Sequence, residues 1–387
     1  MRGAALLALL VLAAAFPAAA SGHNLVVYSS LPLSGRYADT TRAIVRGIEL
    51  ALERAGNPVH YVSLNDASPR AANWLPELVA RNARRAAQDG GAVAYIGEFN
   101  SGATAISMPI LNEAGLLQVS PSNTAVGLTR DGPMSEPGEP DKYRPTGEPN
   151  FGRVIPNDRV QAAAAAVMLR DAGARRVLFI HDREVYGRGL SRLVRQFARR
   201  RGLAIVGSRA LSHTRDNSRA LAALARRRRA DAVFFGGVGY GEAIPLWRAL
   251  ARVRRLKLFG GDGIAFPEFL RKAGRAAARR TRMTALPMAP DAYPAAGREV
   301  LAALGAGADP FALYGYEAMS VILDALPRGG GRREGVRDAF FATRDRDSVL
   351  GRYSIDANGD ASLTRYGVYR GGRGRLVWDH AVDAGAP

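Results

Sequence analysis

The stretch Gly97-Glu98-Phe99-Asn100-Ser101-Gly102-Ala103-Thr104 closes an apolar run and opens a helical one with small polar residues. A helix start leaves its first N–H groups without partners, and its dipole favours an anion. Ser101 therefore suits a ligand carboxylate, held by backbone amides and its own hydroxyl without any arginine. A second patch, Ser120-Pro121-Ser122-Asn123-Thr124, follows the next apolar run and brings the Thr124 hydroxyl. Asp262, between Gly261 and Gly263 at the end of another apolar run, suits an ammonium group. Ser and Asp are also common as caps and in turns, so each alone has a purely structural reading. Together, at strand ends of two α/β units, they describe the two poles of an α-amino acid.

Catalytic chemistry finds less support. No Gly-x-Ser-x-Gly elbow occurs, so Ser101 is not a hydrolase nucleophile by that pattern. The five histidines, His23, His60, His181, His213 and His380, show no ligand spacing, and no metal is expected. His181-Asp182 reads as a strand-end pair whose histidine is satisfied locally. The chain has no cysteine, which excludes disulfides, thiolate metal sites, a cysteine nucleophile and a lipid-anchored cysteine. The glycine clusters at 234–243 and 258–263 lack the third glycine and ribose-binding acid of a dinucleotide fingerprint. No cofactor is expected; the glycines instead let backbone come close to a ligand. Without a nucleophile–base constellation the chain reads as a binding protein and not an enzyme.

The positioning elements follow from periodicity. Strands are expected over 25–28, 61–64, 93–96 and 116–119, alternating with helices over 38–56, 74–88 and 101–113. A second series places strands at 177–180, 204–206, 232–235 and 256–259, with helices over 159–171, 189–200, 218–228 and 242–253. Such alternation means parallel sheets with helical crossovers, here two α/β units in series. Ligands then lie beyond the carboxyl ends of the strands. Residues 131–150 are rich in Pro, Gly and acids without apolar periodicity and read as a long surface loop. After helices at 295–304 and 314–326, Asn358-Gly359 and Gly371-Gly372 separate strand-like runs. The last 35 or so residues are too few for a core of their own and should extend an existing sheet.

At 387 residues two domains are expected, and the 47% hydrophobic content excludes a disordered chain. Arg2, the apolar stretch 4–16 and Ala18-Ala19-Ala20 form a signal-peptide pattern, cut after Ala20. The mature protein is expected to be exported, soluble in the periplasm or outside the cell, and not a lipoprotein. The formal charge of +19 comes almost wholly from arginine, with lysine at Lys142, Lys257 and Lys272 alone. The densest run, Arg226 to Arg229, sits at a helix end where cations suit the dipole. With an export signal and no aromatic-basic motif, no nucleic-acid partner is expected.

Residues 97–129, with Leu31–Asp39, His181–Leu190, Phe234–Val238, Phe259–Gly263, Tyr314–Ala325 and Ser348–Asp360, resemble one family in order along nearly the whole mature chain. The resemblance is to substrate-binding proteins of branched-chain amino acid ABC transporters, the Leu/Ile/Val-binding type. It implies a type I periplasmic-binding-protein fold, α/β, with two Rossmann-like lobes joined by three hinge crossovers near Arg153–Ile155, Thr284–Leu286 and Val349–Gly351. The N-terminal lobe would hold 21–153 and 286–348, the C-terminal lobe 154–285 and 349–387. By position, Ser101 and Thr124 would bind the carboxylate and Asn100 and Ser122 would lend main-chain contacts. Tyr186 would line the cleft and Asp262 would take the ammonium. Val238 stands where better-known members carry tyrosine, and Thr40 where an aromatic can occur, so the side-chain pocket differs. The loop at 131–150 resembles an insertion of one branch of the family. The resemblance implies a monomer that carries an amino acid, branched-chain or aliphatic, to permease subunits at the membrane. The alternative is a same-fold protein for an amide, urea or aromatic acid, or a ligand-sensing module.

Overall fold

The computed structural model describes residues 25–68, 74–132, 135–212, 214 and 216–385. The expected signal peptide, His23 and His213 lie outside the described residues. Chain order is β1 (Val26–Leu31), α1 (Ala38–Arg54), β2 (His60–Asn65), α2 (Pro76–Gln88), β3 (Ala92–Gly97), α3 (Ser101–Glu113), β4 (Leu117–Ser120) and β5 (Phe151–Arg153). Next come α4 (Asp158–Asp171), β6 (Arg176–His181), α5 (Val185–Arg200), β7 (Ala204–Ala210), α6 (Ser218–Arg227), β8 (Ala232–Gly236), α7 (Ala243–Ala251) and β9 (Lys257–Gly260). The chain ends with α8 (Pro267–Ala273), α9 (Arg275–Ala278), β10 (Thr281–Ala285), α10 (Ala295–Ala303), α11 (Ala312–Arg328), α12 (Arg333–Phe341), β11 (Arg365–Gly372) and β12 (Arg375–Asp383).

The strands form two sheets. One has the order β2-β1-β3-β4-β5 and is parallel throughout. The other runs β12-β11-β10-β9-β8-β6-β7, parallel from β10 to β7, with β11 and β12 added antiparallel at one edge. The last segment thus extends an existing sheet, as its length required. Strands β1, β3, β4 and β8 are buried along their whole length; β3 and β8 accordingly read as continuous apolar runs, while β1 and β4 also bury Ser29, Ser30, Gln118 and Ser120. Helix α5 is strongly amphipathic, burying Leu190, Leu193, Val194 and Phe197 on one face while its arginines stay outside.

Three details differ from the sequence reading. The short strands β5 and β10 were not expected, because Phe151-Gly152-Arg153 and Thr281-Arg282-Met283 carry arginines where an apolar run is sought. The tight turn of the final hairpin is not Gly371-Gly372 but the pair Arg373 and Gly374, both at positive φ (47° and 77°). Gly371 lies within β11, where a Cβ would meet the Ala278 carbonyl oxygen at 2.4 Å. The third passage between the sheets also comes later than Val349–Gly351. Tyr353 donates to Glu317 of α11 (2.7 Å), Ile355 pairs with Ala361, and Arg153 N–H donates to the Gly359 carbonyl (2.9 Å). The chain therefore stays with the first sheet until the segment just before β11.

The loop 131–150 lies on the surface but is anchored, in its described residues, at both ends of its reach. Tyr143 is buried against Met108, Leu128 and Phe151 and donates to Glu139 Oε1 (2.8 Å). Glu136 extends to α5 and pairs with Arg188 (3.0 Å) and Arg192 (2.5 Å). With these, Arg144 donating to the Thr129 carbonyl (3.1 Å) and the Thr146 hydroxyl donating to Asn112 Oδ1 (2.9 Å) hold the loop, none of which requires periodicity in its sequence.

Candidate functional site

A cavity of about 450 Å³ lies between the two sheets, beyond the carboxyl ends of the strands. Asn100, Ser101, Ser122, Thr124, Tyr186, Val238 and Asp262 all line it, as does Thr40. The sequence reading thus selected residues 160 positions apart that the fold brings to one place. Among the described residues no arginine, lysine or histidine lines it, whereas Glu184, Asp262 and Asp309 do.

The first wall is built by α3 and the strap 120–125. Asn100, in extended conformation, is the N-cap of α3, and Ser101 is the first helical residue. Thr104 N–H is the one that finds the Asn100 carbonyl (3.1 Å), so the N–H groups ahead of it face the cavity side. Ser101 was expected to cap its own helix; instead its hydroxyl accepts from Ala125 N–H at 3.4 Å, tying helix start to strap. The Asn100 side chain makes no capping bond, and its buried Oδ1 has no partner. Ser122 Oγ donates to the Phe99 carbonyl (2.9 Å), closing the strap onto the helix.

Sequence reading missed what holds this wall. Arg153 is fully buried, lies 2.8 Å from Asp360 Oδ1, and donates to the carbonyls of Asn123 (2.9 Å) and Ala125 (3.1 Å) and to Thr129 Oγ1 (2.7 Å). Neighbouring Arg153 and Arg130 hold the Asp360 carboxyl below its usual range despite burial. One buried cation thus fixes the strap that presents Ser122 and Thr124. A lone arginine beside a crossover has no local signal of that role.

The second wall carries the acid. Asp262 accepts from Tyr186 Oη at 2.6 Å and from Tyr366 Oη at 3.2 Å. Burial pushes its carboxyl up, while Tyr186, Gln161 and Tyr366 donate toward it and pull part of that rise back. The flanking glycines are needed for close approach: a Cβ at Gly261 would meet Tyr186 Oη at 2.5 Å, and one at Gly263 would meet the Gly237 carbonyl at 2.4 Å. Tyr366 comes from β11, far along the chain, and no motif marks it.

Asp158, the first residue of α4, was not selected either. It is fully buried, and its N–H donates to the Thr124 carbonyl (2.8 Å). Burial, and then the charge of Asp262, push its carboxyl well above the usual range, against the Thr124 hydroxyl beside it, which favours the ionised form. Thr124 and Asp262 thus have beside them a carboxyl that burial drives toward its neutral, protonated form. The remaining lining is apolar and aromatic, with Phe99, Trp74, Phe266, Phe311 and Trp378 prominent. Tyr37 stacks between Phe99 (5.2 Å) and Phe266 (5.4 Å), joining rings of both walls. His181 stays outside this site; its Nδ1 accepts from Arg183 N–H at 3.2 Å.

Two α/β sheets facing one cleft, with neutral donors on one side and a buried acid on the other, define a two-lobed ligand-binding protein. The sequence model of the periplasmic binding protein family matches residues 29–371, and the chain belongs to that family. A Leu/Ile/Val-binding protein of Rhizobium johnstonii is 26% identical over 73% of this chain and 74% of its own length. Among solved structures, a leucine-binding protein from Thermotoga maritima shares the fold with a TM-score of 0.75 at 24% identity, covering 93% of this chain and 99% of that one. A branched-chain amino acid transporter substrate-binding protein from Streptococcus pneumoniae, in complex with isoleucine, has a TM-score of 0.73 at 18% identity over 92% of this chain and 100% of that one. Among the described residues no helix is long and apolar enough to cross a membrane.

Proposed function

We propose that this protein binds an α-amino acid with a branched-chain or aliphatic side chain and delivers it, as an exported monomer without catalytic activity, to permease subunits of an ABC importer. The single observation that carries the reading is the cavity's division. The ligand carboxylate sits at the α3 N-terminus, held by backbone N–H groups and the hydroxyls of Ser101 and Thr124. The ammonium sits at Asp262, held in place by Tyr186 and Tyr366. Neutral donors hold the anionic end and one carboxylate, Asp262, the cationic end, which fits a zwitterion and fits poorly a simple anion. The names of the relatives agree in ligand class.

The aromatic lining favours a second reading of the side chain. A cavity of about 450 Å³ walled by Phe99, Trp74 and Phe266 has room for a ligand bulkier than leucine, such as an aromatic amino acid. Titration calorimetry with leucine, isoleucine, valine, phenylalanine, an amide and benzoate separates these. Heat with the aliphatic amino acids is expected. Binding by phenylalanine alone moves the assignment to aromatic amino acids, and binding by benzoate alone removes the ammonium site from the account.

A further inference from the structure

The charge of the molecule is divided between its lobes. Residues 154–285 carry 29 Lys and Arg against 9 Asp and Glu, whereas 21–153 and 286–361 together carry 20 against 24. A coding bias toward arginine would act on both lobes alike, and it does not explain this division. The fold concentrates the excess further. In the second sheet the amino ends of β6, β7, β8 and β9 and the carboxyl ends of α4, α5, α6 and α7 all lie at one pole, opposite the cleft. That pole presents Arg175 and Arg176, Arg199 and Arg200, Arg226 to Arg229, and Arg252, Arg254 and Arg255, all exposed.

Some of these cations complete helix ends. Arg176 donates to the carbonyls of Arg228 (2.9 Å) and Arg229 (3.0 Å), and Lys257 to that of Gly173 (2.7 Å). Their acidic neighbours are few. Asp231 is engaged by the backbone N–H groups of Arg175 and Arg176, and Asp171 pairs with Arg170 at 3.2 Å. Helix capping therefore uses a minority of the cations and neutralises none of them.

We propose that this pole is a docking surface for an anionic phospholipid bilayer. Guanidinium groups spread across four helix ends match a lattice of phosphates better than any single anion, since each fork can engage a phosphate in bidentate fashion. The contact is electrostatic and lies on the surface without insertion. Val377, on the outer edge strand β12, is the one large hydrophobic side chain exposed among the described residues, and it is not at this pole. Held by this end, the protein would stay near the membrane with its cleft turned away and free to load. The inference adds to the ligand reading and concerns the opposite end of the lobe, so its test does not depend on which ligand binds.

The test is co-sedimentation of the full mature chain with vesicles of pure phosphatidylcholine or of phosphatidylcholine with about one third phosphatidylglycerol, at low and at raised salt. Binding to the anionic vesicles alone, lost as salt rises, is expected. The set Arg226→Gln, Arg227→Gln, Arg228→Gln and Arg229→Gln should weaken it at least about 100-fold, at several-fold per arginine near the surface. A second set, Arg252→Gln, Arg254→Gln and Arg255→Gln, should weaken it independently, and both should keep the wild-type melting temperature. A first-lobe control, Arg42→Gln, Arg81→Gln, Arg84→Gln and Arg85→Gln, should change it little. Equal loss in the control, or no anionic binding by the wild type, overturns the proposal. Tighter binding to duplex DNA than to vesicles at the same salt reassigns the pole to nucleic acid.

Discussion

The two walls of the cleft solve the same problem with opposite materials. The first lobe lines its side of the cavity with neutral groups, namely a helix N-terminus and two hydroxyls, and keeps Arg153, its one fully buried cation among the described residues, behind them. The second lobe offers a cation a buried carboxyl held by tyrosines, and keeps its many arginines outside. In the first lobe the formal charge that could neutralise an anion is used elsewhere, while in the second the acid itself lines the cavity. Net charge says little about a pocket: the lobe with the larger positive excess supplies the acid Asp262 to the cavity wall.

Removing Arg153 should do most damage, because it undoes the first wall as a unit. Arg153→Met leaves Asp360 buried with one counter-charge fewer and frees the strap, at a cost of roughly 3–5 kcal/mol. Denaturant unfolding measures this, and a loss under about 1 kcal/mol would mean the strap is held by something else. Asp262→Ala attacks the second wall and should weaken amino-acid binding by roughly a hundredfold or more, since the bound ammonium loses its charged partner. Because burial raises the carboxyl, ionised Asp262 costs the unliganded fold stability at neutral pH. Asp262→Asn should therefore bind poorly yet melt higher; a lower melting temperature would show that the tyrosine bonds outweigh the burial.

The same rise sets a pH dependence. The ammonium needs the ionised acid, so affinity should be full at neutral pH and fall on acidification, beginning above the ordinary aspartate range. Calorimetry between pH 7 and 4 checks this, and a flat profile would contradict the ion pair. Ser101→Ala should cost less, about 5–15-fold, because the helix amides and Thr124 remain. An effect equal to that of Asp262→Ala would erase the contrast between walls. The smallest change is expected from Glu136→Gln, which removes the partly exposed pairs from the loop to Arg188 and Arg192. A loss of about 1 kcal/mol or less is expected, a shift of a few degrees in melting temperature that vanishes in high salt. Persistence of that shift in salt would assign it to packing.

Local sequence was enough for most elements, β5 and β10 excepted, and for the strand-end residues that line the cavity. Apolar runs ending in small polar residues marked β3, β4 and β9, and the groups at their ends, Ser101, Thr124 and Asp262, do meet in one cavity. Period and composition act over a few residues, so they specify strands, helix starts and turns wherever one segment carries the whole signal. What they could not contain is pairing across distance. Arg153 with Asp360, Tyr366 with Asp262, Asp158 behind Thr124 and Glu136 against α5 join residues that no short pattern relates. Which charges end up buried and which form an exposed pole was likewise decided only when helices and strands packed together. Burial, and with it the strength of a charge, belongs to the folded surroundings and not to the residue.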